Sequence, residues 1–178
     1  MKNRFLLLFV CITISTGLLC FSIPKNIMKK VDKEIKKTFE VEDFTLNNVV
    51  ISEAINNQLK DKISLESLFK ITENNELLGY AFISKAPSKT DEFDYLILLD
   101  KNLIVSKTKV LIYREDYGGE IGSKRWLKQF IGKTSKDKLK YKKDIMAISG
   151  ATISASSMTI AINNFLENLE ILHKNKVL

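Results

Sequence analysis

The chain has 178 residues, a hydrophobic fraction of 45% and a formal net charge of +7. That is enough for one domain with a real core and too little for two sizeable ones. The basic balance suits an anionic ligand, an anionic membrane surface or nucleic acid. No nucleic-acid fold signature accompanies it, so nucleic acid is not an expected partner. Both cysteines, Cys11 and Cys20, lie in the N-terminal apolar run, which excludes a disulfide framework or a Cys-ligated metal in the remainder.

Residues 1–23 open with Lys2 and Arg4 and continue as the apolar run Phe5 to Ile23. At 19 residues the run is about long enough to cross a bilayer core, so a single N-terminal transmembrane anchor is expected. No small-residue cleavage site is visible around Leu18-Leu19-Cys20-Phe21-Ser22, which favours an uncleaved anchor over a signal peptide. Counting lysines after the run would place the rest of the chain in the cytoplasm. The basic start, apolar centre and short length instead look like an export signal.

Residues 24–39 predict an amphipathic linker helix. Ile23, Ile27, Val31 and Ile35 repeat every four residues, with Lys, Asp and Glu between them. A solvated charged face is the simpler account of its lysines, and contact with anionic lipid the sharper one.

Residues 40–178 are expected to form the domain itself. An extended stretch is predicted over 40–51 and a short helix over 52–62. A hairpin is predicted from Ser67–Thr72 and Leu77–Ser84 about Glu73-Asn74-Asn75-Glu76. A loop follows over 86–91. Two further strands, Tyr95–Leu99 and Leu103–Tyr113, turn at Asp100-Lys101-Asn102. The expected class is α+β: a small, mostly antiparallel sheet with packed helices, preceded by the transmembrane helix.

Two stretches carry chemistry. Residues 114–132 read REDYGGEIGSKRWLKQFIG, a Gly-rich turn followed by a short helix opened by Ser123 and bearing Trp126, Leu127, Phe130 and Ile131. Most such Gly clusters are ordinary turns. Residues 148–155, ISGATISA, place Ser149, Thr152 and Ser154 at the start of a helix whose apolar face is Met158, Ile162, Phe165, Leu169 and Leu172. Hydroxyls at a helix start are most often caps. Such an end also favours a phosphate, because its first N–H groups lack partners and the dipole is positive there. Between the two stretches, residues 124–143 hold nine Lys or Arg and one acid, Asp137. A solvated face explains them, as does a positive rim that attracts an anionic ligand.

SGATIS resembles the flavin-attachment motif of the FMN-binding domain family, which includes the periplasmic flavin subunits of the Rnf and sodium-pumping NADH:quinone reductase complexes. Gly79-Tyr80-Ala81 resembles a strand of that family, and Glu115 and Gly118 match its Glu and Gly-rich turn before a Trp- or Phe-bearing helix. The similarity covers roughly residues 70–172. It implies covalent FMN on Thr152 through a phosphoester, with Ser149, Gly150, Ala151 and Ile153 close to the phosphate. Glu115, Tyr117 and Gly118 would belong to the ring pocket, with Trp126 beside it. It also implies a Mg²⁺-dependent flavin transferase of the ApbE type as partner, and membrane redox proteins or a quinone-linked electron donor. The soluble domain would then be extracytoplasmic (periplasmic) on the cytoplasmic membrane.

The chain departs from the family at two places: Glu120 stands where the turn commonly has Gly, and Met146 where the family has Asp, with Asp144 two residues earlier. No catalytic residue and no metal ligand is assigned. The expected function is an electron-relaying flavoprotein or redox-complex subunit. The alternatives are a non-redox anchored binding domain of the same fold and a flavin-dependent small-molecule reductase.

Overall fold

The computed structural model describes residues 23–178. A five-stranded antiparallel sheet runs in the order β1 to β5, each strand paired with its neighbour in sequence. The strands are β1 Thr45–Asn48, β2 Leu68–Glu73, β3 Glu76–Pro87, β4 Glu92–Asp100 and β5 Val105–Ile112. The helices are α1 Lys25–Phe39, α2 Glu53–Asn56, α3 Lys124–Leu127 and α4 Thr152–Lys174, with single 3-10 turns at Gly119–Gly122 and Lys128–Phe130. The architecture is α+β, with helices packed on both faces of the sheet.

The turns follow local chemistry. Asn74 and Asn75 take φ of 49° and 68°, the left-handed pair that a two-residue hairpin turn needs and that Asn tolerates. Between β4 and β5 the Asp100 carboxylate accepts the N–H groups of Asn102 and Ile104, both at 2.9 Å.

In β4, every residue from Phe93 to Leu99 is buried, so the sheet must be covered on both faces. On one face, Ile27, Val31 and Ile35 of α1 pack over Phe69, Ile71, Ala81, Ile83, Leu96 and Leu98. On the other, Met158, Ile162, Phe165 and Leu169 of α4 pack over Leu68, Tyr80, Phe82, Tyr95 and Ile97. Phe82 and Phe165 stack there, 3.9 Å between centroids and 5° from parallel. The helix expected as a linker is therefore a layer of the folded unit. Its four-residue apolar stripe closes the face that α4 leaves open.

Several boundaries differ from expectation. The extended stretch predicted over 40–51 is strand only at β1, after which Val49 turns into the core and Val50 is exposed. The helix predicted over 52–62 stops at Asn56. Its side chain donates to the Ile63 carbonyl and accepts from the Ile63 N–H, offering the chain a loop in place of further helix. Strand β3 runs through Ala86 to Pro87; proline, lacking an N–H, is tolerated at a strand end. Among the described residues no helix is long and apolar enough to cross a membrane. The anchor expected over 5–23 lies, apart from Ile23, outside the described residues, as do Cys11 and Cys20.

Candidate functional site

The start of α4 sits at the rim of the α4-covered face. Its N-cap residue is Ala151, at φ −129° and ψ 31°, and no side chain caps it. Alanine is a poor cap because it offers no acceptor. The first bond of the helix runs from Ala155 N–H to the Ala151 carbonyl at 2.9 Å. The N–H groups of Thr152, Ile153 and Ser154 come before it and have no carbonyl to reach within the helix. The hydroxyls expected either to cap or to hold a phosphate therefore do not cap. Thr152 is exposed at the first helical position, and Ser154 is buried with its Oγ 3.0 Å from the Tyr113 hydroxyl.

The Gly-rich turn lies against this start. Gly118 adopts φ +81°. A Cβ on it would stand 2.7 Å from Ala151 Cβ, 3.0 Å from the Gly150 oxygen and 3.1 Å from the Tyr113 hydroxyl. Only glycine lets the two backbones come this close. The two motifs, more than thirty residues apart in sequence, thus form one surface.

Between them is a cleft of about 520 Å³ lined by Lys89, Tyr113, Glu115, Tyr117 and the segment Gly150 to Ser154. This lies inside the roughly 300–1,000 Å³ usual for small-molecule sites. Tyr117, 82% exposed, and Ile153, 50% exposed, present apolar surface at its mouth. A set of unpaired backbone donors beside an exposed hydroxyl, with apolar surface next to it, suits a ligand that joins an anionic phosphate to a flat ring system.

Glu115 lines the cleft, but its carboxylate is engaged elsewhere. One oxygen accepts the Thr90 N–H at 2.7 Å and the other the Thr90 hydroxyl at 2.9 Å. Its contact with the Ser88 side chain, together with the hydrogen bonds from the Thr90 N–H and hydroxyl, brings its pKa down to about 2.

The expected site residues distribute as follows. Gly150, Ala151, Thr152, Ile153, Glu115 and Tyr117 line the cleft, and Gly118 packs beneath it; Ser149 is exposed outside the lining. Trp126 is not beside the cleft. It is 5% exposed in the core, edge-on to Phe130, and its indole N–H donates to the Met146 carbonyl at 2.7 Å. A Trp on a short helix next to a Gly turn reads equally as pocket or core, and burial decides for core. Its contact with the site is indirect, through the loop that leads into Ile148-Ser149-Gly150.

The positive rim expected from residues 124–143 does not border this cleft either. Lys124 and Lys128 line a separate opening with Lys37, Lys107 and Lys109. The cation that does line the cleft is Lys89. Asp144 accepts from its own turn at Lys140 N–H, 2.9 Å away, and is not among the residues that line the cleft. The Met146 side chain is 71% exposed.

Sequence reasoning missed Lys89, Tyr113 and the placement of Ser154. Lys89 falls in a stretch read only as a loop, and Tyr113 at the end of a predicted strand. Nothing local marks either as facing the α4 start.

Residues 89–167 match the family model of the FMN-binding domain. No curated protein matches the chain.

Proposed function

We propose, from the premise that residues 89–167 belong to the FMN-binding domain family, that this protein is a flavoprotein relaying electrons through FMN attached to Thr152. The observation that carries the reading is the uncapped α4 start, with Thr152 exposed on it inside a cleft that the Gly118 turn completes. The cofactor, when bound, supplies one- or two-electron chemistry. The N–H groups of Thr152, Ile153 and Ser154 would hold its phosphate, with the α4 dipole behind them. Tyr117 and Ile153, exposed at the cleft, would offer the ring an apolar surface.

Attachment needs a second protein. A Thr hydroxyl is a weak nucleophile near neutral pH and requires a base or metal. The carboxylate that lines the cleft, Glu115, is held by Thr90 and too weakly basic to serve. A Mg²⁺-dependent transferase of the ApbE type fits this need, with FAD as its donor. Thr152 Oγ1 bonds to the FMN phosphorus, the bridging P–O bond of the pyrophosphate breaks, AMP leaves with that electron pair, and the Thr proton passes to a base on the transferase.

Residues 5–23 then hold the chain in the cytoplasmic membrane as a single-pass anchor, with the domain on the extracytoplasmic side. Membrane redox proteins or a quinone-linked donor are its partners. The length of the apolar run and the start of α1 at Lys25, just after it, support the anchor.

The test is the full chain co-expressed with the transferase, followed by intact mass and by flavin fluorescence after denaturation. Wild type should carry the added mass of FMN. Thr152→Ala should lose it entirely and Thr152→Ser should keep part of it. Flavin that survives denaturation on Thr152→Ala places the attachment elsewhere. Wild type without flavin leaves the anchored binding domain as the better reading.

A further inference from the structure

The turn between β3 and β4 is held from three sides. At its start, the Ser157 hydroxyl of α4 donates to the Pro87 carbonyl. Within it, the Ser88 N–H and hydroxyl both donate to the Asp91 carbonyl, each at 2.7 Å. At its end, Glu115 takes both Thr90 donors. Glu115 is itself fixed by its neighbour. Arg114 pairs with the buried Asp94 at 2.6 Å and donates to the Glu92 carbonyl at 2.7 Å.

Such bracing is unusual for an exposed four-residue connection, which ordinarily is among the more mobile parts of a domain. What the bracing holds in place is Lys89. It lies in the turn, is exposed, lines the same cleft as Thr152, and makes no ion pair among the described residues.

We propose that Lys89 is the side-chain counter-charge for the ligand's phosphate at the α4 start, and that Glu115 is a positioning residue that holds the Lys89 turn rather than a contact to the ring. This rests on the flavin reading above and goes beyond it in assigning a phosphate contact outside the motif. Three features support it. Lys89 is the cation of the lining. Both Glu115 oxygens are committed to the turn and so are not turned on a ligand. The α4 donors are backbone N–H groups, which leave the phosphate's net charge uncompensated. A lysine ammonium acts there as a point charge, which suits a phosphate whose orientation the helix already sets.

The experiment titrates the full chain in detergent micelles, without transferase, with FMN and separately with riboflavin, which lacks the phosphate. Wild type should bind FMN more tightly than riboflavin. Lys89→Gln should weaken FMN by about tenfold, as loss of one charge-assisted contact does, and leave riboflavin unchanged. Lys89→Arg should retain most of the FMN affinity. Glu115→Gln keeps one acceptor and loses the other. It should weaken FMN severalfold, raise hydrogen exchange at the Thr90 and Asp91 amides, and add little on top of Lys89→Gln.

Equal loss of FMN and riboflavin affinity in Lys89→Gln overturns the phosphate assignment, as does no loss of either. Full additivity of the two substitutions overturns the positioning role of Glu115. Wild type that binds neither free flavin overturns this assignment; if it also carries none after co-expression with the transferase, the flavin reading falls with it. Wild-type binding with an unaffected Lys89→Gln overturns this assignment alone.

Discussion

Two helix starts in this molecule look alike in sequence and differ in structure. Helix α3 begins after Ser123, and the Ser123 hydroxyl accepts the Trp126 N–H at 3.3 Å. Helix α4 begins after Ala151 with Ser149 and Thr152 on either side, and neither hydroxyl caps it. At α3 the hydroxyl precedes the helix as the cap residue, where its oxygen reaches back over the first turn. At α4 the cap position is an alanine, and Thr152 stands one residue too late to cap its own helix. One position in register separates a structural hydroxyl from an available one. The end left open is the one that faces a cleft.

Substitutions that take the comparison apart differ in size. The largest effect on stability should come from Gly118→Ala. The left-handed backbone costs roughly 1–2 kcal/mol and the clash with Ala151 adds roughly 1–3 kcal/mol. Gly150 shares the positive φ, at 78°, but a Cβ there meets nothing within 4 Å. Gly150→Ala should therefore cost only the backbone part. Denaturant midpoints measured at unchanged m give the difference between the two, which is the contact between the motifs. Equal losses would mean that Gly118 does not hold the turn against α4.

A smaller effect is expected from Ser123→Ala. Losing that cap should cost about 1 kcal/mol in chemical denaturation. It should leave the proposed flavin attachment intact, whereas Thr152→Ala should remove it and barely move stability. If Ser123→Ala lowers attachment at full occupancy of the folded state, the two helix starts are not independent. The link would then run through Trp126 and the Met146 carbonyl.

The smallest effect concerns pH. The Glu115 pKa is depressed in the folded state, so its contribution to the turn is fully present above the ordinary carboxylate range. That contribution is lost as pH falls from about 4.5 toward about 2. The Thr90 amide proton, followed by NMR, should titrate with a midpoint near 2. A midpoint near 4.5 would show that the clamp on the Lys89 turn is not formed in solution.

Much of the fold is legible in the sequence because its signals are local. Asn74-Asn75 marks the hairpin by its tolerance of positive φ. The spacing of Met158, Ile162, Phe165, Leu169 and Leu172 marks α4, and all five are buried. Ile27, Val31 and Ile35 mark an amphipathic helix by the same logic. Nothing in that spacing says which surface the stripe meets, and it proved to be the second face of the sheet.

The site divides in the same way. Thr152 at a helix start and a Gly-rich turn ahead of a Trp-bearing helix are patterns within short windows, so residue order alone exposes them. Pairing one motif with the other depends on Gly118 meeting Ala151 across a long sequence separation. The roles of Glu115 and Trp126 depend on which partners the fold brings within hydrogen-bond distance, and that of Lys89 on the cleft it lines. Periodicity and capping are properties of neighbouring residues along the chain, and the sequence by itself determined them. Burial of Trp126, capture of Glu115 by Thr90 and the sharing of one cleft by Lys89 and the α4 start come from packing between distant segments, and only the tertiary structure decided those.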